Sequence, residues 1–284
     1  MKKSTLIHLR FPFSFFLLPV FLFTIACLPD FAWSRFVVVF GILHFFLYPA
    51  SNGYNSYFDK DEGSIGGVKT PPKVTRELFS VSWLLDLMGI AFGWTISWKF
   101  AAMLFVYGMV SKAYSHPAIR LKKRPIIGWL TAGVFQGYFT FLMVTVGMSH
   151  EEILFSTKIQ WGALLSTLLL FGSYPMTQVY QHDEDGKRGD ITLSLILGIL
   201  GTFHFTAICF TVSVALYVLF FNVYFSFITA VIFMVALSPV LVYFGLWYLK
   251  VRKSVQLADF EHTMKLNLIS SACLNAFFLF LILS

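Results

Sequence analysis

The chain has 284 residues, of which 57% are hydrophobic and only 12% are charged, and its formal net charge is +7 at pH 7. Because a soluble domain usually carries about 25% charged residues, this composition excludes an ordinary soluble domain. The apolar residues form runs close to the length of about 20 residues that crosses the hydrocarbon core of a bilayer. We therefore expect an integral membrane protein with many spans.

Nine apolar runs follow one another along the chain, separated by short connections, and we expect each to form a membrane-spanning helix. They are Phe11–Leu28, Arg35–Tyr54, Leu78–Ile96, Trp98–Ala113, Ile126–Val146, Ile159–Tyr180, Thr202–Phe220, Phe225–Leu249 and Lys265–Leu283. The first run follows Lys2, Lys3 and Arg10 as a signal peptide would, but it is long, aromatic and without a small-residue cleavage site. The sequence thus predicts an all-α, multi-pass membrane protein in which residues 1–284 form a single membrane domain.

The basic residues divide unevenly between the two sides of this arrangement. With the N-terminus in the cytoplasm, the inner side holds 18 of the 21 basic residues and the outer side holds Arg35, Lys99 and Lys158. By the positive-inside rule we expect a cytoplasmic N-terminus and an external C-terminus, in a bacterial inner membrane. The basic residues lie in short loops that suit anionic membrane lipid, and we expect no nucleic-acid partner.

Acidic residues are scarce, 14 in the whole chain, and they concentrate in two inner loops at residues 52–63 and 178–190. If the second helix continues through its polar end, spacings of three and four place several polar residues on one face: Tyr48, Asn52, Asn55 and Asp59. The same spacings at the end of the sixth helix align Gln178, Gln181 and Asp185. Each set would direct oxygen ligands at one point beside the membrane surface.

Carboxylate and amide oxygens with no His or Cys beside them favour a hard cation such as Mg²⁺, which keeps coordination positions open for phosphate oxygens. The alternative is that both clusters are solvated helix ends capped by polar residues. Each cluster ends the second helix of a four-helix unit, which indicates an internal duplication. We expect two four-helix repeats plus a ninth helix around a central cavity, where the two clusters meet.

A third inner loop begins with the hydroxyl groups of Tyr114 and Ser115 and continues with the basic residues Arg120, Lys122, Lys123 and Arg124. Hydroxyls and cations bind phosphate through charge-assisted hydrogen bonds, although an ordinary positive-inside loop has the same composition. Together with the two acidic clusters, this loop favours a clamp for a diphosphate that carries a lipid tail. Aromatic residues make up 19% of the chain, and we expect most of them to face lipid or pack helices, with a subset lining the cavity to stabilise a carbocation.

These residues resemble the UbiA superfamily of intramembrane prenyltransferases, whose members share nine helices and two Asp-rich motifs. The first motif, N-x-x-x-D-x-x-x-D, is matched by Asn55 and Asp59, with Gly63 at its third position and Asp61 and Glu62 beside it. The second motif, D-x-x-x-D followed by Gly and Thr-Leu, aligns with Gln181, Asp185, Gly189, Thr192 and Leu193. Residues 114–122 look like a Tyr-Ser-x-Pro-x-x-Arg/Lys-Leu-Lys segment found in several branches of the superfamily.

The resemblance implies Mg²⁺-dependent transfer of a prenyl group from a prenyl diphosphate to an aromatic or lipid-like acceptor, with release of diphosphate, in quinone or pigment biosynthesis. It implies that Asp59 and Asp185 are catalytic. The metal ligands it implies are Asn55, Asp59, Asp61, Gln181, Asp183 and Asp185, with Asp183 supplying charge that Gln181 lacks. The substrate-binding residues it implies are Asn52, Tyr114, Ser115, Arg120 and Lys122.

Two other classes of membrane protein share part of this pattern. A secondary transporter also has internal repeats, but its polar site usually lies near the middle of the bilayer, whereas these clusters lie at the inner surface. The D-x-x-D-G-x-x-A-R signature of CDP-alcohol phosphotransferases is absent from the sequence. Asp86, about 12 Å into the third helix at 1.5 Å per residue, should face the cavity or a partner.

Overall fold

The computed structural model describes residues 1–149 and 151–284, and within them the chain is helical, without a β-strand. The helices are α1 Lys3–Leu9, α2 Leu18–Cys27, α3 Trp33–Asp59, α4 Glu77–Trp94, α5 Trp98–Ser115, α6 Pro125–Met148, α7 Thr157–Met176, α8 His182–Arg188, α9 Leu193–Tyr224, α10 Phe227–Val251 and α11 Phe260–Leu283. Short 3₁₀ turns lie between some of them, at Phe11–Phe16, Leu121–Lys123, Glu151–Phe155 and Val255–Leu257. The predicted all-α class is confirmed.

Six helices of the described residues are long and apolar enough to cross a membrane, namely α3, α4, α6, α9, α10 and α11. A seventh span forms if Lys3–Phe16 and Leu18–Cys27, which are bent by 40° relative to each other, cross together. The helices α5 and α7 also correspond to predicted spans but are more polar, and side chains from both line the cavity described below. The protein is an integral membrane protein, and nine spans remain a prediction.

The helix α3 continues without interruption to Asp59, as the spacing of its polar residues predicts. It ends there because Lys60 adopts a left-handed conformation with φ of 51°. Asn52, Asn55 and Asp59 all line one cavity, whereas Tyr48, the fourth residue of the expected face, is buried in the core and does not line it. The continuous helix therefore carries these polar residues along its C-terminal end.

The equivalent prediction for the sixth helix is wrong, because Gln178, Gln181 and Asp185 do not lie on one continuous helix. The helix α7 ends at Met176, and α8 starts only at His182. Pro175 lacks the N–H that would bond the carbonyl of Phe171, and the indole of Trp129 donates to that oxygen instead, at 2.9 Å. A turn and a short helix therefore replace the helical extension.

The helix α8 ends at Gly189, whose φ of 72° is readily available only to glycine. This turn places Asp190 and Thr192 beside α8, where both line the same cavity as Asp185. Although the helix is interrupted, Gln178, Gln181 and Asp185 all line the cavity.

The helix α6 approaches α7 closely at a π-helical stretch, Phe135–Phe139. A Cβ atom on Gly137 would lie 2.6 Å from the Cα atom of Thr167, so only glycine allows this approach. The backbone N–H of Tyr138 donates to the Thr167 hydroxyl at 2.7 Å, which stabilises the irregular turn. Gln136, within this stretch, lines the cavity from the α6 side.

Aromatic rings fill the apolar core between α2, α6, α9 and α11. Phe23 is stacked on Phe278 with ring centroids 4.8 Å apart, and it also contacts Phe141 and Tyr217. Each fully buried aromatic side chain removes a large apolar surface from contact with its surroundings. This packing fixes the helices that carry the apolar wall of the site.

Asp86 faces a partner residue on a neighbouring helix. Its carboxylate on α4 forms an ion pair with the ammonium group of Lys112 on α5, and both side chains are buried. The Lys112 ammonium also lies 4.3 Å from the centroid of the Trp83 ring. Because neither Asp86 nor Lys112 lines the cavity, the pair joins two helices.

Candidate active site

A polar cavity of about 200 Å³ lies between the C-terminal ends of α3, α5 and α7 and the short helix α8. The predicted site residues that line it are Asn52, Asn55, Asp59, Asp61, Tyr114, Ser115, Lys122, Gln181 and Asp185. Two acidic segments that are distant in the sequence therefore share one cavity. Two predicted residues do not line it: Asp183 is exposed on α8, and Arg120 lies behind Asp59 and Asp190.

The basic loop before α6 reaches both acidic segments. Lys122 forms an ion pair with Asp59, and the Nη2 atom of Arg120 lies 3.3 Å from the same carboxylate. Arg120 also donates two hydrogen bonds of 2.7 Å to Asp190, one from Nε and one from Nη2. This bidentate pair is the strong form of an arginine–carboxylate contact. It fixes the loop against the start of α9.

Arg188, at the end of α8, bridges the carboxylates from the other side. Its Nη1 atom lies 2.6 Å from Asp61 and 3.8 Å from Asp59, and its Nη2 atom lies 3.9 Å from Asp185. Lys122 and Arg188 thus compensate the acidic charge. Within residues 1–149 and 151–284, no group of three His, Cys, Asp or Glu side chains is arranged around a common metal position.

The surroundings of the carboxylates raise the pKa of Asp185 and Asp61 but lower the pKa of Asp190. Burial raises the pKa of Asp185 to about 7, although Lys122 and Arg188 oppose this shift. Burial, together with repulsion from Asp59, also raises the pKa of Asp61. Burial opposes ionisation of Asp190 as well, but the hydrogen bonds from Arg120 and the charges of Lys122, Arg120 and Arg188 together outweigh it and lower the Asp190 pKa. Asp185 and Asp61 are therefore the carboxylates that a further cation would stabilise most.

Hydroxyl and amide groups position the remaining polar side chains. The Ser115 hydroxyl donates to Asn55 Oδ1 at 3.0 Å, and the hydroxyls of Tyr114 and Tyr174 are hydrogen-bonded to each other. Gln181 Nε2 donates to the carbonyl of Ser64 at 3.0 Å. Gln181 therefore holds the loop that follows α3 over the cavity.

Several residues of this site were not predicted. Arg188 and Asp190 contribute charges, and Arg10 contributes a guanidinium from the turn after α1. The sequence contains a signal for Asp190, since it is an additional acid beside Gly189 in the second motif. Arg10 and Arg188 have no local signal beyond their charge, because their partners lie on other segments.

A second cavity, of about 180 Å³, continues from the polar one between α2, α7, α9, α10 and α11. The two cavities share Phe13, Gln136, Tyr174 and Thr177. Among the residues that the structure describes, no charged side chain lines the second cavity. The combined shape fits an amphiphile with a charged head and an apolar tail.

The fold and the cavities define a helical integral membrane protein in which a polar cavity adjoins an apolar one. The chain belongs to the UbiA prenyltransferase family, whose sequence profile matches residues 15–269. No curated protein matches the chain.

Solved structures with similar folds cover almost the whole chain. The apo structure of a UbiA homologue from Aeropyrum pernix K1 has a TM-score of 0.71 and 15% identity, covering 95% of this chain and 98% of that one. A UbiA homologue from Archaeoglobus fulgidus bound to GPP and Mg²⁺ has a TM-score of 0.67 and 18% identity, covering 99% and 100%. A digeranylgeranylglyceryl phosphate synthase has a TM-score of 0.63 and 18% identity, covering 99% of both chains. At these identities the likeness concerns the fold.

Proposed function

We propose that this protein transfers a prenyl group from a prenyl diphosphate to an aromatic or lipid-like acceptor within the membrane, with Mg²⁺ as cofactor and diphosphate as the second product. The observation that carries the proposal is the junction of a charged cavity with an uncharged one. Membership of the UbiA prenyltransferase family supports it. The A. fulgidus homologue that binds GPP and Mg²⁺ supports the choice of substrate and cofactor.

The donor types of the polar cavity match magnesium, because Asn55, Asp59, Asp61 and Asp185 supply amide and carboxylate oxygens only. The three carboxylates are paired with Lys122 and Arg188 and do not surround one point, so Asn55 and Asp59 would hold Mg²⁺ on one wall and Asp185 on the other. Two buried oxygens of this wall, Asp185 Oδ2 and Gln178 Oε1, have no hydrogen-bond partner. Since buried acceptors are ordinarily satisfied, both are available to a cation or its water. When bound, Mg²⁺ neutralises negative charge on the departing diphosphate.

The protein's own cations would bind the same head group. Lys122 and Arg188 line the cavity and would donate charge-assisted hydrogen bonds to diphosphate oxygens. Arg120, held by Asp190, would keep Asp59 in place. The bond between the prenyl carbon and the diphosphate oxygen breaks, its electron pair leaves with diphosphate, and the acceptor supplies the electrons for the new bond and then loses a proton. Phe13 and Tyr174, at the junction of the cavities, would stabilise positive charge on the allylic carbon.

A reconstituted assay tests this function. The purified protein in lipid nanodiscs is supplied with geranyl diphosphate, Mg²⁺ and a panel of aromatic and lipid alcohol acceptors, and products are identified by mass spectrometry. We expect a prenylated product and stoichiometric diphosphate, both lost when Mg²⁺ is chelated. Transport of intact substrate across proteoliposomes without diphosphate release would contradict the proposal and favour a transporter.

We also propose nine spans with a cytoplasmic N-terminus, in a bacterial inner membrane. Reporter fusions after Lys73, Lys123, Lys187 and Lys253 should all report the cytoplasm, and a fusion at Ser284 should report the outside. The basis is the uneven distribution of basic residues. A single reproducible inversion would contradict the nine-span topology.

A further inference from the structure

Arg10 places a guanidinium in the wall of the polar cavity without a counter-charge in contact. The residue is only 9% exposed. Its Nη1 and Nη2 atoms lie 3.4 Å from the carbonyl oxygens of Gly66 and Asn52, which is long for a hydrogen bond, and its Nε atom has no partner. Burial of a charge is costly unless the charge is paired. A bound anion would supply the missing partner.

The carboxylates of the cavity do not satisfy Arg10. Asp59, Asp61 and Asp185 form their ion pairs with Lys122, Arg120 and Arg188. Within the described part of the chain, Arg10 forms an ion pair with none of them. The guanidinium instead rests near the ring of Phe13, with its Cζ atom 5.4 Å from the ring centroid. Among the described residues, the cavity therefore contains one cation that is influenced by the charges of Asp61 and Asp59 but forms no ion pair with either.

A second donor lies beside Arg10. The Nδ2 atom of Asn52 is buried, lines the same cavity and has no hydrogen-bond partner. The two groups are adjacent, because Arg10 Nη2 contacts the backbone carbonyl of Asn52. Buried donors without a partner are rare in proteins. One charged and one neutral donor side by side match the requirements of an anionic oxygen.

The unsatisfied atoms of the cavity divide by chemical type between two walls. The acceptors, Asp185 Oδ2 and Gln178 Oε1, belong to α8 and the turn before it, whereas the donors belong to Arg10 and to α3. The backbone of Arg10 adopts a left-handed conformation with φ of 50°, which is uncommon for a residue with a side chain. This turn after α1 forms part of the donor wall. A ligand that joins the two walls would meet unsatisfied acceptors on one side and unsatisfied donors on the other.

We propose that Arg10 and Asn52 form an anion subsite that binds a phosphate or carboxylate oxygen of a substrate in the polar cavity. The identity of the substrate rests on the proposed prenyl transfer, but the binding of an anion does not require turnover. Two sources supply such an oxygen. One is the diphosphate head of the prenyl donor, and the other is a carboxylate on the acceptor.

The first experiment measures the Kd of inorganic diphosphate in the presence of Mg²⁺, by calorimetry on the protein in nanodiscs. If diphosphate is the source, Arg10→Gln should weaken binding at least about tenfold, equivalent to about 1.4 kcal/mol. Arg10→Lys should be intermediate, because an ammonium keeps the charge but loses the planar fork. Asn52→Asp should also weaken binding, since it replaces a donor by a negative charge. The matched control is Arg76→Gln, which removes an exposed cation and should leave the Kd unchanged.

The second experiment separates the two sources. If Arg10→Gln leaves the Kd of diphosphate unchanged, the carboxylate source predicts a higher KM for 4-hydroxybenzoate or 1,4-dihydroxy-2-naphthoate, at constant kcat. The KM for the corresponding phenol or naphthohydroquinone, which lack the carboxylate, should not change. The subsite is refuted if Arg10→Gln and Asn52→Asp alter neither the diphosphate Kd nor the ratio of these KM values.

Misfolding of a variant and failure of the proposed prenyl transfer can both be distinguished from the absence of an anion subsite. If Arg10→Gln does not fold, as judged by gel filtration and thermal unfolding, Asn52→Asp decides, because it changes almost no volume. If the wild-type protein releases no diphosphate from any prenyl diphosphate, the proposed prenyl transfer fails. The series with inorganic diphosphate then decides the subsite alone, and an unchanged Kd in that series refutes it.

Discussion

The guanidinium of Arg188 lies 2.6 Å from the carboxylate of Asp61, and through this contact the short helix α8 compensates the charge that follows α3. The same guanidinium reaches Asp59 and Asp185 at longer distances. Arg188 therefore occupies the region between the carboxylates that we propose to hold Mg²⁺. Metal and arginine compete for the same oxygens.

This competition makes the effect of Arg188→Gln specific. The Mg²⁺ concentration that gives half-maximal rate should fall, because a positive charge next to the metal ligands is removed. The kcat should fall about tenfold, because the diphosphate loses a charge-assisted hydrogen bond. The measurement is the rate as a function of Mg²⁺ concentration, with Lys187→Gln, an exposed neighbour, as control. An unchanged Mg²⁺ dependence would remove Arg188 from the site.

The two carboxylates implied to be catalytic should be indispensable. We expect Asp59→Asn and Asp185→Asn each to lower kcat by at least about 10²-fold, the usual loss for one group that stabilises a developing charge. Asp183→Asn is the matched control on the same helix, since its side chain is exposed and outside the cavity. It should retain wild-type kcat and wild-type Mg²⁺ dependence. A loss of activity in Asp183→Asn would restore the expectation that Asp183 supplies the charge that Gln181 lacks.

Glu184 occupies the space beside Gly63, the position at which the family motif has its third Asp. Its Oε1 atom accepts hydrogen bonds from the backbone N–H groups of Glu62 at 2.7 Å and Gly63 at 3.2 Å. A Cβ atom on Gly63 would lie 2.7 Å from Glu184 Oε2. Gly63→Asp should therefore displace Glu184 and bring two like charges together.

A double-mutant cycle on Gly63 and Glu184, with kcat/KM as the measured quantity, tests this clash. Gly63→Asp alone should lower activity several-fold, and Glu184→Ala combined with it should restore most of that loss. The restoration is expected because the second substitution removes both the clash and the repulsion. Additive losses in the double variant would show that the two positions are independent.

The ion pair of Asp86 and Lys112 should act on stability. Lys112→Met leaves a buried carboxylate unpaired, which usually costs about 3–5 kcal/mol. Adding Asp86→Leu should recover much of that loss, because no buried charge then remains. Unfolding in mixed micelles measures both variants, with the exposed Lys250→Met as control. If the loss of stability in the double variant equals the sum of the losses in the two single variants, Asp86 and Lys112 are not energetically coupled.

The polar end of α3 was predictable from spacing alone. Asn52, Asn55 and Asp59 recur at intervals of three and four, and a continuous helix brings all three to one side. The break after α7 was not predictable in the same way. The sequence contains Pro175, but whether a proline kinks a helix or ends it depends on which group donates a hydrogen bond to the carbonyl that the proline leaves unpaired. Here the partner is Trp129, from another helix.

The charged network shows the same limit. The resemblance to the family supplied Arg120 and Lys122, but Asp190, their common partner, was not among the predicted residues. Arg10 entered the sequence argument only as a charge that orients the first helix. Its burial depends on the loop after α3, whose Gly66 covers it. Contacts between distant segments decide these roles, and single-sequence patterns do not record them.

The two cavities share four residues, but their other side chains are under different evolutionary constraints. On the charged side, each carboxylate depends on a particular cation, so a change at one position has to be matched at another. On the uncharged side, Leu237 and Phe278 only bound the space for hydrocarbon. Under the proposed prenyl transfer, a single substitution on the apolar wall would change the accepted hydrocarbon tail, whereas a change on the charged wall would need a compensating change at a second position.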